Sequence, residues 1–380
     1  MSIHHDEKLF THNPQAVATT VQQSDQGKDT TGSSQEDEYV RLNRLLTAQA
    51  QTTYESMEEI QHINMRMRMI SFNSKIEAAR AGESGRAFSV VSDEMKALSD
   101  RTATVAQALR KDSARSTEEL KAICMQLSTQ VRGTRLSDLA LTNIDLIDRN
   151  LYERSCDVRW WATDASLVDA LVDRGKDACD HAGERMGVIL NAYTVYFDLV
   201  LCDANGTVVA NGRPQRYRSR GMNQSIQSWF QQAMQTQSGE QFGFESVHPS
   251  PLVNNQRVLV YSAAVREGGK THGRVLGALG IVFNYDALAQ VIMRNTPIGE
   301  SLKSVTRVCI TDGNGKVLAD SHDRVLQDTL DFPGREQLYR QDKGFAITDI
   351  GGASYCIAHA KAPGFETYTT GWHSVILQPL

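Results

Sequence analysis

The sequence predicts an α+β protein: an N-terminal antiparallel helical hairpin of coiled-coil character, then a long helix, then two α/β modules in tandem. Three observations carry this. Apolar residues step by three and four on both sides of Gly82 and Gly85. A second helical pattern runs from about residue 135 to 193. Past Tyr193 the texture changes to short β-rich runs broken by Asn-Gly turns.

Residues 1–35 are polar, rich in Gln, Ser, Thr and Asp, and read as a disordered tail. Residues 36–134 form the expected hairpin. Ile60, Ile63, Met67 and Ile70 mark one arm, and Phe88, Val91, Met95, Leu98, Thr102, Val105 and Leu109 the other. The glycines sit where such a hairpin turns. Residues 135–193 carry Leu136, Leu139, Ile144, Ile147 and Leu151 and read most simply as one long helix, with the pair Trp160 and Trp161 as the place where it could break.

Residues 194–298 and 299–380 form the two modules. LCDANGTVVA and CITDGNGKVLAD both read as strand, turn, strand, and their likeness suggests related units. SIQSWFQQAMQ reads as a short helix between strands, and ALAQVIMRN returns to helix.

Several classes are disfavoured. The net charge of -5 argues against a nucleic-acid binder. No apolar run reaches the length of a membrane span, and MSIHHDEKLF does not read as a secretory signal. A cytoplasmic protein is therefore expected. The six cysteines form no CxxC pair and have no histidines at zinc spacing, so no metal is expected. No GxSxG, Walker loop or HExxH occurs, and neither an enzyme nor a cofactor is expected.

The stretch NSKIEAARAGESGRAFSVVSDEMKALSDRT resembles the signalling tip of methyl-accepting chemotaxis proteins. The resemblance runs from about Ile60 to Thr102. It implies a homodimer, further association at the tip, and docking to a histidine kinase and its coupling adaptor. Met65, Asn73, Glu77 and Arg80 would lie at contacts between dimers, Glu83 and Arg86 at the turn, and Val90 and Val91 near the docking surface. Two departures stand out. Arg66-Met67-Arg68 replaces the QTN usual in the family, and the long methylation helices are missing.

Residues 135–380 resemble a double Cache sensor, a long helix followed by two PAS-like modules. That resemblance implies a small polar metabolite in the first module. Trp229, Phe230 and Tyr261 would form pocket walls. Asn284 and Asp286 would recognise an amine or hydroxyl. Arg213, Arg216, Arg218 and Arg220 offer charge for a carboxylate, Arg218 and Arg220 foremost. Trp229 and Tyr261 read equally well as core, and the arginines as a solvated loop. Gln227 stands where amino-acid-binding relatives have arginine, which counts against a standard amino-acid site.

The expected function is a chemoreceptor-like transducer that senses a metabolite and signals through a shortened hairpin. The alternative is a non-chemotaxis regulator whose hairpin serves dimerisation and docks another signalling protein.

Overall fold

A computed structural model of the chain describes residues 30–380, with side chains from residue 41 onward. Most of the tail expected over residues 1–35 lies outside the described residues. The chain divides into two compact units at residues 129/130.

In the first unit, helix α1 (Thr30–Arg80) is followed by a short 3-10 turn (Gly82–Gly85) and helix α2 (Arg86–Trp161). Gly82 takes a left-handed φ of 61°, which glycine adopts without steric cost. Contacts across the turn step in opposite directions along the two helices. Ser71 Oγ donates to the Ser92 carbonyl at 2.6 Å, and Ser99 Oγ to the Asn64 carbonyl at 3.2 Å. Arg68 pairs with Asp100 at 2.7 Å, and Lys75 with Asp93.

The seam between these helices is not the expected one. Its buried residues are Asn64, Ser71, Ala78, Gly85, Ser92, Ser99 and Ala106, small or polar side chains spaced by seven. Small residues let two backbones approach closely. A Cβ on Gly85 would sit 2.1 Å from the Ala78 carbonyl oxygen. Ile63, Ile70, Val91, Leu98, Val105 and Leu109 are exposed instead. Stepping by three and four located the helices correctly, but the larger residues flank the seam.

The second unit begins within α2. Asp164 caps helix α3 (Ala165–Asp173), accepting from Ser166 N at 2.9 Å, and helix α4 (Lys176–Ala192) follows. The expected long helix over 135–193 is thus three helices, broken just after the tryptophans.

The first sheet is antiparallel, with strands β1 (Tyr196–Asp203), β2 (Val208–Asn211), β3 (Gly243–Ser250), β4 (Gln256–Arg266) and β5 (Val275–Phe283) in the order β2-β1-β5-β4-β3. Helix α5 (Ser228–Met234) precedes β3, and helix α6 (Tyr285–Arg294) follows β5. After helix α7 (Glu300–Lys303), the second sheet repeats the plan. Strands β6 (Arg307–Thr311), β7 (Val317–Asp320), β8 (Lys343–Ile350), β9 (Ala353–Lys361) and β10 (His373–Pro379) run in the order β7-β6-β10-β9-β8. Helix α8 (Arg335–Tyr339) precedes β8.

The repeat extends to its turns. Asp203 Oδ1 accepts from Asn205 N and Thr207 N, both at 2.9 Å. Asp312 Oδ1 accepts from Asn314 N and Lys316 N, also at 2.9 Å. Each aspartate ties down its own turn, as short polar side chains do.

The central strands are covered on both faces, so β4, β5 and β10 read as apolar runs. One face of each sheet joins α2 in a shared core that includes Ile144, Ile147, Leu151, Leu259, Leu279 and Ile376, and α3 adds Leu167 and Leu171 to it. The other face of the first sheet is covered by α5, and that of the second by α8.

Candidate functional site

The face of the first sheet beneath α5 is built from alternate residues of its strands: Val200, Val258, Val260, Ala278 and Val282. Helix α5 is fastened to it by side chains. Ser262 Oγ donates to the Trp229 carbonyl at 2.6 Å, and the Gln232 amide exchanges two bonds of 3.0 Å with the backbone of Phe244. The Trp229 ring lies directly on the backbone of Gly280. A Cβ there would come within 2.9 Å of ring atom Cζ3. Trp229 therefore fills the middle of the face with the protein's own side chain, and Phe230 meets it edge-on at 5.9 Å.

One end of this face is polar. Asp198 on β1 is fully buried. It accepts from Asn211 Nδ2 at 2.8 Å and from the backbone of Leu199 and Arg213 at 2.9 Å each. Burial pushes its carboxyl up to about 6, against the lowering effect of those bonds. Asn211 also donates to the Tyr217 carbonyl at 3.0 Å. Tyr217 is buried, with its hydroxyl 3.5 Å from Gln256 Oε1. Ser219, two residues after Tyr217, is buried too, and its hydroxyl has no hydrogen-bond partner. A titratable acid beside an apolar face and a buried unpaired hydroxyl are groups able to recognise a polar ligand.

The predicted pocket residues do not meet there as a set. Trp229 and Phe230 belong to the α5 face. Tyr261 does not: on β4 it alternates with Val260 and points to the opposite side, against Phe242, Phe244 and Tyr368. Asn284 caps α6, its Oδ1 accepting from Ala287 N at 3.3 Å. Asp286 pairs with Arg257 at 2.7 Å. Arg218 is exposed. Arg220, exposed as well, pairs with Asp180 of α4 at 2.6 Å. Arg213 donates to the carbonyls of Tyr196, Phe197 and Leu190, which makes it a structural tie. Arg216 lies over the Tyr217 ring at 5.2 Å. Asp198 and Ser219 were missed. The signal for Asp198 was a single acid within the apolar run YFDLVLC, since a charge seldom sits in a buried strand without a partner.

The predicted contact residues of the first unit are outward-facing. Met65, Val90 and Val91 are more than half exposed. Asn73 is exposed, and Glu77 pairs with Arg80 at 2.9 Å within its own helix. Glu83 and Arg86 stand 3.8 Å apart at the turn.

No helix among the described residues is long and apolar enough to cross a membrane, and no cluster of three or more His, Cys, Asp or Glu among them could hold a metal ion.

The methyl-accepting chemotaxis protein McpP of Pseudomonas putida is 33% identical over 139 residues, covering 37% of this chain and 22% of McpP. The chain thus spans about a fifth of that relative's length. The sensor domain of the Vibrio cholerae histidine kinase DctB matches with a TM-score of 0.50 at 14% identity, covering 67% of this chain and 98% of that domain. That likeness shows the fold. The ligand-binding domain of the Campylobacter jejuni chemoreceptor Tlp3, solved with 4-methylisoleucine, matches with a TM-score of 0.49 at 15% identity over 65% of this chain and 90% of its own. The family model described as "Cache domain" matches residues 30–380, and the chain belongs to the Cache domain family.

Proposed function

We propose that this chain is a chemoreceptor-like signal transducer. The first module senses a small polar metabolite, and the α1–α2 pair passes the signal to a histidine kinase and its coupling adaptor. The observation that carries the reading is the continuity of α2, one helix from Arg86 to Trp161. Its N-terminal part supplies Ser92, Ser99 and Ala106 to the seam, and its C-terminal part supplies Ile144, Ile147 and Leu151 to the sensor core. A ligand that binds one sensor state better than another biases any helix that is part of that core.

The ligand site is the α5 face, with Asp198, Tyr217 and Ser219 as its polar groups. Binding there requires Trp229 to shift from Gly280, which gives the site two states. The chain acts without turnover, and in the cytoplasm, where such a kinase and adaptor work. It acts as a homodimer: Ile63, Ile70, Leu98, Val105 and Leu109 leave an apolar surface on the helix pair that a second copy would cover. A thermal-shift screen of small polar metabolites tests the sensing step, since ligand bound to the native state raises apparent stability by mass action. A hit whose shift disappears in Asp198→Ala supports it; a hit unaffected by that change places the site elsewhere.

A second reading is favoured by one observation. Arg68, which departs from the family pattern, is used within the helix pair by Asp100 at 2.7 Å. In that reading the pair is a dimerisation and docking element for a different signalling protein, and reverting Arg66 and Arg68 to Gln and Asn leaves its function intact.

A further inference from the structure

The face of the second sheet beneath α8 holds a cluster that the sensing of a metabolite does not use. His359 on β9 and His373 on β10 are 0% and 4% exposed, at diagonal positions of adjacent strands. Their Nδ1 atoms face each other at 3.3 Å. Tyr339 of α8 stacks on His373 at 4.0 Å with rings 9° from parallel, and on His359 at 5.4 Å. The Tyr339 hydroxyl is engaged by Thr311 Oγ1 at 2.8 Å.

Nδ1–Nδ1 contact fixes the protonation of the pair. One ring donates and the other accepts, so a single proton serves both Nδ1 atoms of the neutral pair. An added proton places charge in a layer with little to receive it. From α8 come Tyr339 and Arg335, whose guanidinium lies 6.0 Å from the Tyr339 ring centre. From β6 come Thr311 and Cys309, whose thiol is pushed up to about 12 by burial. Lys361 at the end of β9 opposes protonation of His373. Asp312 in the β6–β7 turn favours it through space. The Leu338 backbone, and then Asp342 before β8 through space, favour protonation of His359. Neither ring hydrogen-bonds a carboxylate among the described residues. Burial first, and then for His373 its neighbour His359, pushes both imidazoles down to about 4.

The cluster is one short step from the long helix. Helix α8 leads directly into β8, whose first residues grip α2. Lys343 Nζ pairs with Asp138 at 2.6 Å, and Ser137 Oγ donates to the Gly344 carbonyl at 2.8 Å. Phe345 lies so close to Gly133 that a Cβ there would come within 2.3 Å of its ring.

We propose that the second module carries a proton-sensing site, the His359–His373 pair, whose protonation lifts α8 from the sheet and loosens the hold of β8 on α2. Tyr339 offers a charged His373 some cation–π attraction, less than the hydration both rings gave up on burial. Water therefore has to enter, and it enters by displacing α8, the five-residue helix that carries Tyr339 over the pair. This site works independently of any metabolite in the first module.

The test is hydrogen exchange on the full chain, read in the peptides spanning 334–345 and corrected for the intrinsic pH dependence of exchange. Between about pH 7.5 and about pH 4.5, the wild type should lose protection there by about tenfold or more, the factor expected for one unit of pKa displacement. His359→Gln with His373→Gln should flatten that response. Should the double variant fold poorly, His373→Gln alone should still shift its midpoint. Unchanged protection of 334–345 in the wild type over this range overturns the proposal. So does an equal acid response in a folded variant.

Discussion

The hydroxyls of Tyr261 and Tyr368 are hydrogen-bonded to each other inside the core, joining a central strand of the first sheet to the loop between β9 and β10. That loop also clasps the long helix. Asp148 of α2 accepts from Thr370 Oγ1 at 2.7 Å and from Gly364 N at 3.1 Å, and Phe365 meets Tyr152 edge-on at 5.3 Å. Residues 363–371 therefore touch both modules and α2, and a shift in the first sheet has a direct route to the helix.

Removing one hydroxyl of the tyrosine pair strands the other in the core. Tyr261→Phe and Tyr368→Phe should each cost about 1–2 kcal/mol, and the double change less than the two together. Denaturant unfolding of the four proteins checks this; strict additivity would mean the contact contributes nothing.

Trp229→Ala should cost about 3–5 kcal/mol, because a large buried ring is lost from a packed face. Gly280→Ala should cost about 1–3 kcal/mol by pushing the same ring upward. If Trp229 holds the closed state, Gly280→Ala should also raise the affinity of any ligand found for the α5 face. Calorimetric unfolding and titration of that ligand read the two effects.

Asp198 gives a pH dependence of opposite sign to that of the histidines. Its folded value of about 6 lies above the ordinary carboxyl value, so the native state holds the extra proton between the two. Its contribution to stability therefore rises as pH falls from above 6 toward about 4. NMR titration of the side-chain carboxyl should give a midpoint near 6. A midpoint near the free-peptide value would mean that water reaches the site.

At the helix pair, the seam tolerates little bulk. Gly85→Ala places a methyl against the Ala78 carbonyl and should loosen the turn, lowering the helical melting temperature by several degrees, consistent with about 1–2 kcal/mol. Circular dichroism of the full chain follows it.

Much of this was legible in the sequence. The turn at Gly82 and the repeated Asp-x-Asn-Gly hairpins are set by local chemistry, and each lies where the residues placed it, whereas the helix over 135–193 is interrupted just after Trp161. Which face a residue takes was harder. Tyr261 and Trp229 both look like pocket walls, yet a period of two on β4 sends Tyr261 to the far side, and only the register of the sheet reveals it. The seam misled for a related reason. Larger apolar residues read as core, but the close approach of two helices selects Ser, Ala and Gly, and leaves Ile63 and Leu98 to face outward. Asn284 and Asp286 begin a helix, so their polarity serves a cap and an ion pair. Asp198 and the histidine pair are single polar letters in apolar runs, with no motif to join them, and were not singled out.

The most direct test of the central claim is capture of a chemotaxis histidine kinase and its coupling adaptor by the full chain. The wild type should retain both, and Val90→Glu with Val91→Glu, on the exposed face of α2, should lose them while the fold is kept. Failure of the wild type to retain either protein, with and without a ligand identified by thermal shift, would contradict it.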